Sequence, residues 1–356
     1  IISNYYINTE KIEKDKPETF VPSVTAKNHS GAVNAGSICF YGNCSGPEYT
    51  VLSAYDIKDG KLLSTQSVLG GSYTVYASSK NIITASLSGG DGKLQVTRFS
   101  LNGGDITLEA AGELEGELLN QFSIDEYKEH FRFVLTDNRG EYSSNSLVIL
   151  DGNLKKTGAI SGIAEDERVY SVRFMGDTAY FVTFRQVDPL FSVDVSDPTS
   201  PKIIGSLKIP GFSNYLFPFG KGMLFGMGQN ADEKTGRSTG MKISMFDISD
   251  PSNVTECAKT NISASYSEAL YSHKATLINS GKNIIGFSAY GWQNNILYFI
   301  YAYENGELVK KAEINLPHSN TGCRGLYSGD KFYVVTPDVV YCFTLDGFKE
   351  LSVTEI

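Results

Sequence analysis

An all-β chain assembled from a repeated antiparallel unit is predicted by three features of the sequence. The 356 residues include 21 Tyr, 20 Phe and 35 Gly but one Trp, a mix suited to pleated strands joined by tight turns. A short β-rich run, a polar turn and a second β-rich run recur along the whole length. Helical periodicity is nearly absent, and the charged run EKIEKDK (10–16) reads as a solvated loop.

The clearest repeats are FSVDVSDPTSPKIIGSLKI (191–209) and ISMFDISDPSNVTECAKTNI (243–262). Looser copies run over 51–69, 94–114, 147–163, 297–316 and 339–356. Each alternates apolar and polar residues, then turns through Asp-Gly, Asn-Gly, Gly-Gly or Ser-Asp-Pro, which are hairpin signals. The residues just before the turn are Tyr55, Phe99, Ile149, Val193, Phe246, Tyr303 and Phe343, on average roughly 48 positions apart. A four-stranded propeller blade takes roughly 40–50 residues. The stretches ahead of the hairpins supply two inner strands each, as in VYSVRFMGDTAYFVTF (169–184). A lone blade cannot bury both faces, whereas stacked blades cover one another.

The prediction is therefore a β-propeller of seven visible four-stranded blades, in a single domain. Its alternatives are eight blades, or part of a larger ring with blades upstream. Residues 49–356 form the regular propeller. Residues 1–48 hold incomplete first-blade strands and a long irregular insertion, with IISNYYIN as an inner strand and the innermost strand lacking.

Four stretches carry more than generic patterning: LLNQFSIDEYKEHFRF (118–133), residues 169–216, SHKATLINSGKNIIGF (272–287) and RGLYSGDKFYVV (324–335). They resemble a family of secreted prokaryotic proteins with a C-terminal β-propeller distantly related to WD repeats. The resemblance implies an exported or surface-attached, extracytoplasmic propeller without an established activity, and further sequence before Ile1. Phe217 stands where that family commonly shows His.

Charge and composition narrow the partners. The formal net charge of −9 disfavours nucleic acid and anionic lipid. No apolar run reaches the roughly 18 residues of a membrane span. Five Cys with no CxxC do not make a dense disulfide framework. Cys39 and Cys44 would close a short loop in an oxidising compartment, but unpaired small core residues is the preferred reading.

Most enzymatic signatures are missing. With Trp292 alone, neither sialidase-type Ser-x-Asp-x-Gly-x-Thr-Trp boxes nor true WD repeats are present. Glycoside cleavage needs two carboxylates roughly 5–10 Å apart; Asp125 and Glu126 are adjacent on a strand and point to opposite faces. Gly42-Asn43-Cys44-Ser45-Gly46 copies a nucleophile elbow without the helix that motif requires. His29, His130, His273 and His318 are scattered. Asp56–Gly60 and Asp232–Gly236 are acidic turns that lack the alternating ligands of a Ca²⁺ loop. No cofactor is expected, Ca²⁺ being the one weak candidate.

In a propeller the loops joining strands two and three, and those joining blade to blade, gather at one end. RQVDP (185–189) and PGFSNY (210–215) belong there. The candidate binding residues are Arg173, Arg185, Asp188, Phe212 and Tyr215, with an Arg185–Asp188 structural ion pair as the plainer reading. The expected function is non-enzymatic: a monomeric binding or scaffolding module that engages a protein or carbohydrate at the cell surface. A glycan-cleaving hydrolase or lyase is the alternative.

Overall fold

The computed structural model describes residues 1–42, 46–90, 92–184, 188–232, 237–264, 266–291, 296–317 and 322–356, with the backbone alone at 188. Among these, the repeats become seven four-stranded sheets and one small two-stranded hairpin. Numbered in chain order, sheet 1 lies within residues 2–69, sheet 2 within 74–114, sheet 3 within 124–163, sheet 4 within 168–209, sheet 5 within 212–262, sheet 6 within 276–315 and sheet 7 within 324–355. In sheets 2 to 7 the four strands follow chain order from one edge to the other.

Backbone contacts divide the chain into two compact units, Ile1–Arg168 with Asp197–Pro201, and Val169–Ser196 with Lys202–Ile356. In the first unit, Ile83, Val96, Phe131, Phe133 and Val148 form one core between sheets 2 and 3. Leu52, Val68, Ile82 and Phe99 form another between sheets 1 and 2. In the second unit, Tyr180, Leu190, Leu216 and Phe246 join sheets 4 and 5. Phe225, Met245, Phe287 and Phe299 join sheets 5 and 6, and Ile300, Phe332 and Tyr341 join sheets 6 and 7. Large flat side chains suit this face-to-face packing, each buried one contributing roughly 1.5–3 kcal/mol.

The residues that mark the repeat in sequence lie on the third strand of their sheets, just before the outer hairpin, except Tyr55, which lies on the second of the four strands of sheet 1. Phe99, Ile149, Val193 and Phe246 are fully buried there. At each marker residue, or two residues before it for Tyr303, the pairing slips by one residue, between Ala54 and Tyr55, Leu108 and Ala110, Ile149 and Leu150, Ser192 and Val193, Met245 and Phe246, Ile300 and Tyr301, and Cys342 and Phe343. In sheets 2 to 7 the bulge thus falls in the fourth strand, and in sheet 1 it falls in Leu62–Leu69, next to the edge strand Ile38–Cys39. A bulge adds local twist and turns a residue outward. Cys257 occupies one of these positions and is exposed, so it departs from the expectation of a buried thiol. Cys323 and Cys342 are buried as expected, and the Cys39 thiol, pushed up to about 11 by burial, donates to the Ser67 carbonyl at 3.4 Å. Cys44 lies outside the described residues.

Sheet 1 is irregular. Ile2–Tyr6 at one edge pairs with Glu48–Tyr55, and Leu62–Leu69 follows. The fourth member, Ile38–Cys39, joins the far side of Leu62–Leu69 in parallel. The intervening segment folds as a hairpin, Ser23–Ala26 with His29–Ala32, and three short 3₁₀ turns. Its Val24 and Val33 are buried against Tyr49 and Val51 of sheet 1. Asn28 fixes it further, accepting from the Leu62 amide at 2.8 Å and donating to the Leu62 carbonyl at 3.2 Å. Strand alternation puts Val51 and Leu52 on opposite faces. Sheet 2 covers one face, and the insertion covers the other.

Candidate functional site

Sheets 4 to 7 place their blade-to-blade connections at one end, and there the second unit gathers aromatic side chains. Tyr170, Phe184 and Phe212 form the first cluster, with ring centres 4.5–5.8 Å apart. Phe184 closes the second strand of sheet 4 and Phe212 opens the first strand of sheet 5. Their contact brings together the two connections singled out in the sequence. Arg185 itself lies outside the described residues. The backbone of Asp188 pairs with Ile209 at the start of a strand.

Arg173 and Tyr215 belong to a neighbouring cluster. Arg173 Nε donates to the Leu216 carbonyl at 2.8 Å, and its guanidinium lies 5.9 Å from the Phe217 ring centre. Burial lowers its pKa to about 10, leaving it charged at neutral pH. Phe217, standing where the resembled family shows His, serves as the apolar neighbour of this cation. Tyr215 packs on Phe217 and on His273. Its hydroxyl donates to the Tyr271 carbonyl at 2.9 Å, while the His273 backbone bears on the same oxygen. His273 is held below its ordinary value by burial, then by the positive charges of Lys274 and Arg173.

Exposed tyrosines at this end lie on the connection from sheet 5 to sheet 6, SASYSEALYSH (263–273). Ser267 caps a 3₁₀ turn over Glu268–Leu270, accepting from the Ala269 amide at 3.0 Å and donating to the Ser288 carbonyl at 2.5 Å. Ala269, Leu270 and Ala275 are buried beneath it in the core between sheets 5 and 6. Tyr266 and Tyr290 pair through their backbones, with the Tyr290 amide donating to the Tyr266 carbonyl at 2.8 Å. The loop is thus anchored from below and from both sides.

On this base Tyr266 and Tyr271 are 44% and 65% exposed. Their rings lie 5.7 Å apart at 22°, and Tyr290 backs Tyr266 at 5.5 Å. Beside them Arg324, opening sheet 7, grips Glu268 in a two-pronged ion pair of 2.7 and 3.0 Å. That pair holds the Glu268 carboxyl below its ordinary value and the Arg324 guanidinium above its own.

The sequence placed Arg173, Phe212 and Tyr215 at this end but missed Tyr266, Glu268, Tyr271, Tyr290 and Arg324. One signal for them was available. SASYSEALYSH occupies the same blade-to-blade position as PGFSNY and is just as rich in Tyr and Ser.

Two open clefts lie elsewhere. One, of about 890 Å³ between sheets 2 and 3, is lined by Asn81, Arg98, Glu126, Tyr127 and His130. Its polar groups brace the sheets: Glu126 accepts from Ser78 and Asn81, and Arg98 donates to Asn81 and to the Gly152 carbonyl. The other, of about 880 Å³, lies between sheets 6 and 7 near Lys282, Glu304 and Asp346. Among the described residues no three His, Cys, Asp or Glu side chains converge to hold a metal ion. The turn at Asp56–Gly60 is closed by its own backbone, with the Lys58 amide donating to the Asp56 carboxylate at 2.8 Å. Residues 233–236 of the second acidic turn lie outside the described residues. No described helix is long and apolar enough to cross a membrane.

An uncharacterized protein of Archaeoglobus fulgidus is 34% identical over 261 residues, covering 73% of this chain and 38% of the relative. An uncharacterized protein of Methanocaldococcus jannaschii is 35% identical over 226 residues, covering 63% and 34%. The chain spans little more than a third of the length of these curated relatives. Among solved structures, a putative 6-phosphogluconolactonase from Bacteroides fragilis superposes with a TM-score of 0.53 at 14% identity, over 88% of this chain and 90% of that one. The periplasmic gluconolactonase of Pseudomonas aeruginosa gives 0.53 at 11% identity, over 88% and 93%. At such identities the likeness is one of fold. Residues 1–348 match the Beta propeller domain family, and with the seven four-stranded sheets this establishes the chain as a member of that family.

Proposed function

We propose that this propeller is a non-enzymatic binding module that works outside the cytoplasm and engages a protein or a glycan at the cell surface. The contact runs through the tyrosine-lined loop end of sheets 4 to 7. One observation carries the reading: Tyr266 and Tyr271 are displayed to solvent on a connection whose backbone carbonyls accept from Tyr290 and Tyr215 and whose Ser267 hydroxyl donates to the Ser288 carbonyl. Exposed aromatic rings on a fixed backbone bind with little ordering cost. The net charge of −9 favours partners other than polyanions.

A hydrolytic role would need a carboxyl group able to donate a proton near neutral pH. The carboxylate beside the tyrosines, Glu268, is pulled the other way by Arg324 and stays ionised. Its two oxygens are already committed to the guanidinium.

The test compares wild type with the Tyr266→Ala/Tyr271→Ala variant on a glycan array and on solubilised cell-envelope extract. The expected result is a ligand retained by wild type and lost by the variant at an unchanged melting temperature. Equal retention by both proteins overturns the reading.

A further inference from the structure

Resting on the binding role just proposed, we infer that the Tyr266–Tyr271 surface takes an uncharged glycan, with one pyranose ring stacked on the open face of Tyr271. Tyr271 is backed by Tyr266 at 5.7 Å and 22°, so one face of its ring is supported and the other looks outward. Tyr266 is in turn backed by Tyr290. A pyranose presents a flat patch of C–H groups that carry slight positive charge, and these meet the negative face of an aromatic ring.

Size argues for a sugar over a protein partner. The exposed parts of the two tyrosines, 44% and 65%, add up to about one whole aromatic side chain, roughly 150–250 Å², against about 800 Å² per side in a stable protein interface. That area matches one or two sugar rings.

Charge narrows the class further. The guanidinium of Arg324 is neutralised by Glu268 through both of its carboxylate oxygens. Burial, Lys274 and Arg173 hold His273 uncharged at neutral pH. Uronates or sulfated sugars would meet one exposed lysine, Lys274, beside His273, on a chain of net charge −9, which gives them little attraction. The planar Arg324–Glu268 pair, about a third exposed on each side, offers N–H donors and carboxylate lone pairs to sugar hydroxyls.

The experiment is native gel electrophoresis of the whole chain through gels that contain soluble β-glucan, xylan or mannan, with alginate and polygalacturonate as acidic comparisons. Wild type is expected to be retarded by at least one neutral polysaccharide. Tyr271→Ala should weaken that retardation at least tenfold, and Tyr271→Trp should keep it. Retardation by the acidic polymers alone overturns the inference. So does a complete lack of retardation accompanied by a tyrosine-dependent protein ligand, although the binding role then stands. If no ligand of any kind depends on Tyr266 and Tyr271, the binding role falls as well.

Discussion

The hydroxyl of Tyr215 donates a hydrogen bond to the backbone carbonyl of Tyr271, so a buried side chain of sheet 5 holds in place the loop that displays an exposed ring. The two residues are 56 positions apart. A buried hydrogen bond of this kind contributes about 1 kcal/mol net. Tyr215→Phe keeps the ring packing against Phe217 and His273 and removes that bond together with the one the oxygen receives from the His273 backbone. The expected outcome is a stability loss of about 1 kcal/mol with faster amide exchange across 266–273. Unchanged exchange in that segment would show that the hydrogen bond does not hold the loop.

The contrast between Tyr215 and Tyr271 also explains what the sequence could reveal. Repeats were legible because outer-hairpin turns demand particular residues, and because residues such as Phe99 and Phe246 must be apolar at a fixed place before them. The bulge opposite each of those residues was not legible, since no residue type is required at a bulged position such as Leu63, Thr157 or Cys257. Packing of Val24 and Val33 on sheet 1 is long-range, and nothing local to residues 1–48 announces it. Phe212 and Tyr215 stood out beside a Pro-Gly turn. Tyr266 and Tyr271 did not, because an exposed tyrosine and a core tyrosine look alike among 21. The ion pair of Glu268 with Arg324 joins residues 56 positions apart and leaves no mark at either one.

Arg132 provides a second test, in sheet 3. Its side chain is 2% exposed, stacks over the Tyr127 ring at 4.7 Å and forms an ion pair with Asp125 on the adjacent strand. Removing one partner of a buried pair costs about 3–5 kcal/mol, because the remaining charge stays in a poor solvent. Asp125→Ala should therefore destabilise by about 3 kcal/mol in a denaturant titration. Asp125→Ala combined with Arg132→Met should recover most of that loss. A double variant as unstable as the single one would show that the charge was not the cause.

Tyr298 makes the opposite prediction. Its hydroxyl is fully buried between sheets 6 and 7 and is without a hydrogen-bond partner, and burial pushes its pKa far up. Room for it exists because Gly286 and Gly325 have no side chain: a Cβ would sit 2.7 Å and 1.8 Å from the Tyr298 oxygen. Tyr298→Phe should leave stability unchanged or raise it by about 1 kcal/mol, since an unsatisfied buried group is removed. Gly325→Ala should cost about 3 kcal/mol, because the added methyl meets a ring held by the core. Adding Tyr298→Phe to that variant should relieve part of the clash, and the two effects should not be additive. Urea titrations of the four proteins decide it.

His273 makes stability depend on pH within a definite window. Its folded pKa is depressed by burial, then by Lys274 and Arg173, and Tyr215 packs against the ring. An unfolded histidine takes up its proton near pH 6.5. Below that value the unfolded chain binds a proton that the folded chain resists, so stability falls as the solution is acidified and is fully present above it. The loss should stop once pH drops past the folded value. Glu268, Asp137, Asp247 and Asp250 are also held low, by hydrogen bonds from Arg324, Arg139, Ser249 and Ser252 respectively, and their losses belong to the carboxylate range at lower pH. His273→Gln keeps a polar side chain at the position and removes the titration. Between pH 7.5 and 5.5 wild type should lose melting temperature and the variant should lose less. Equal slopes for the two proteins would assign the pH dependence to another group.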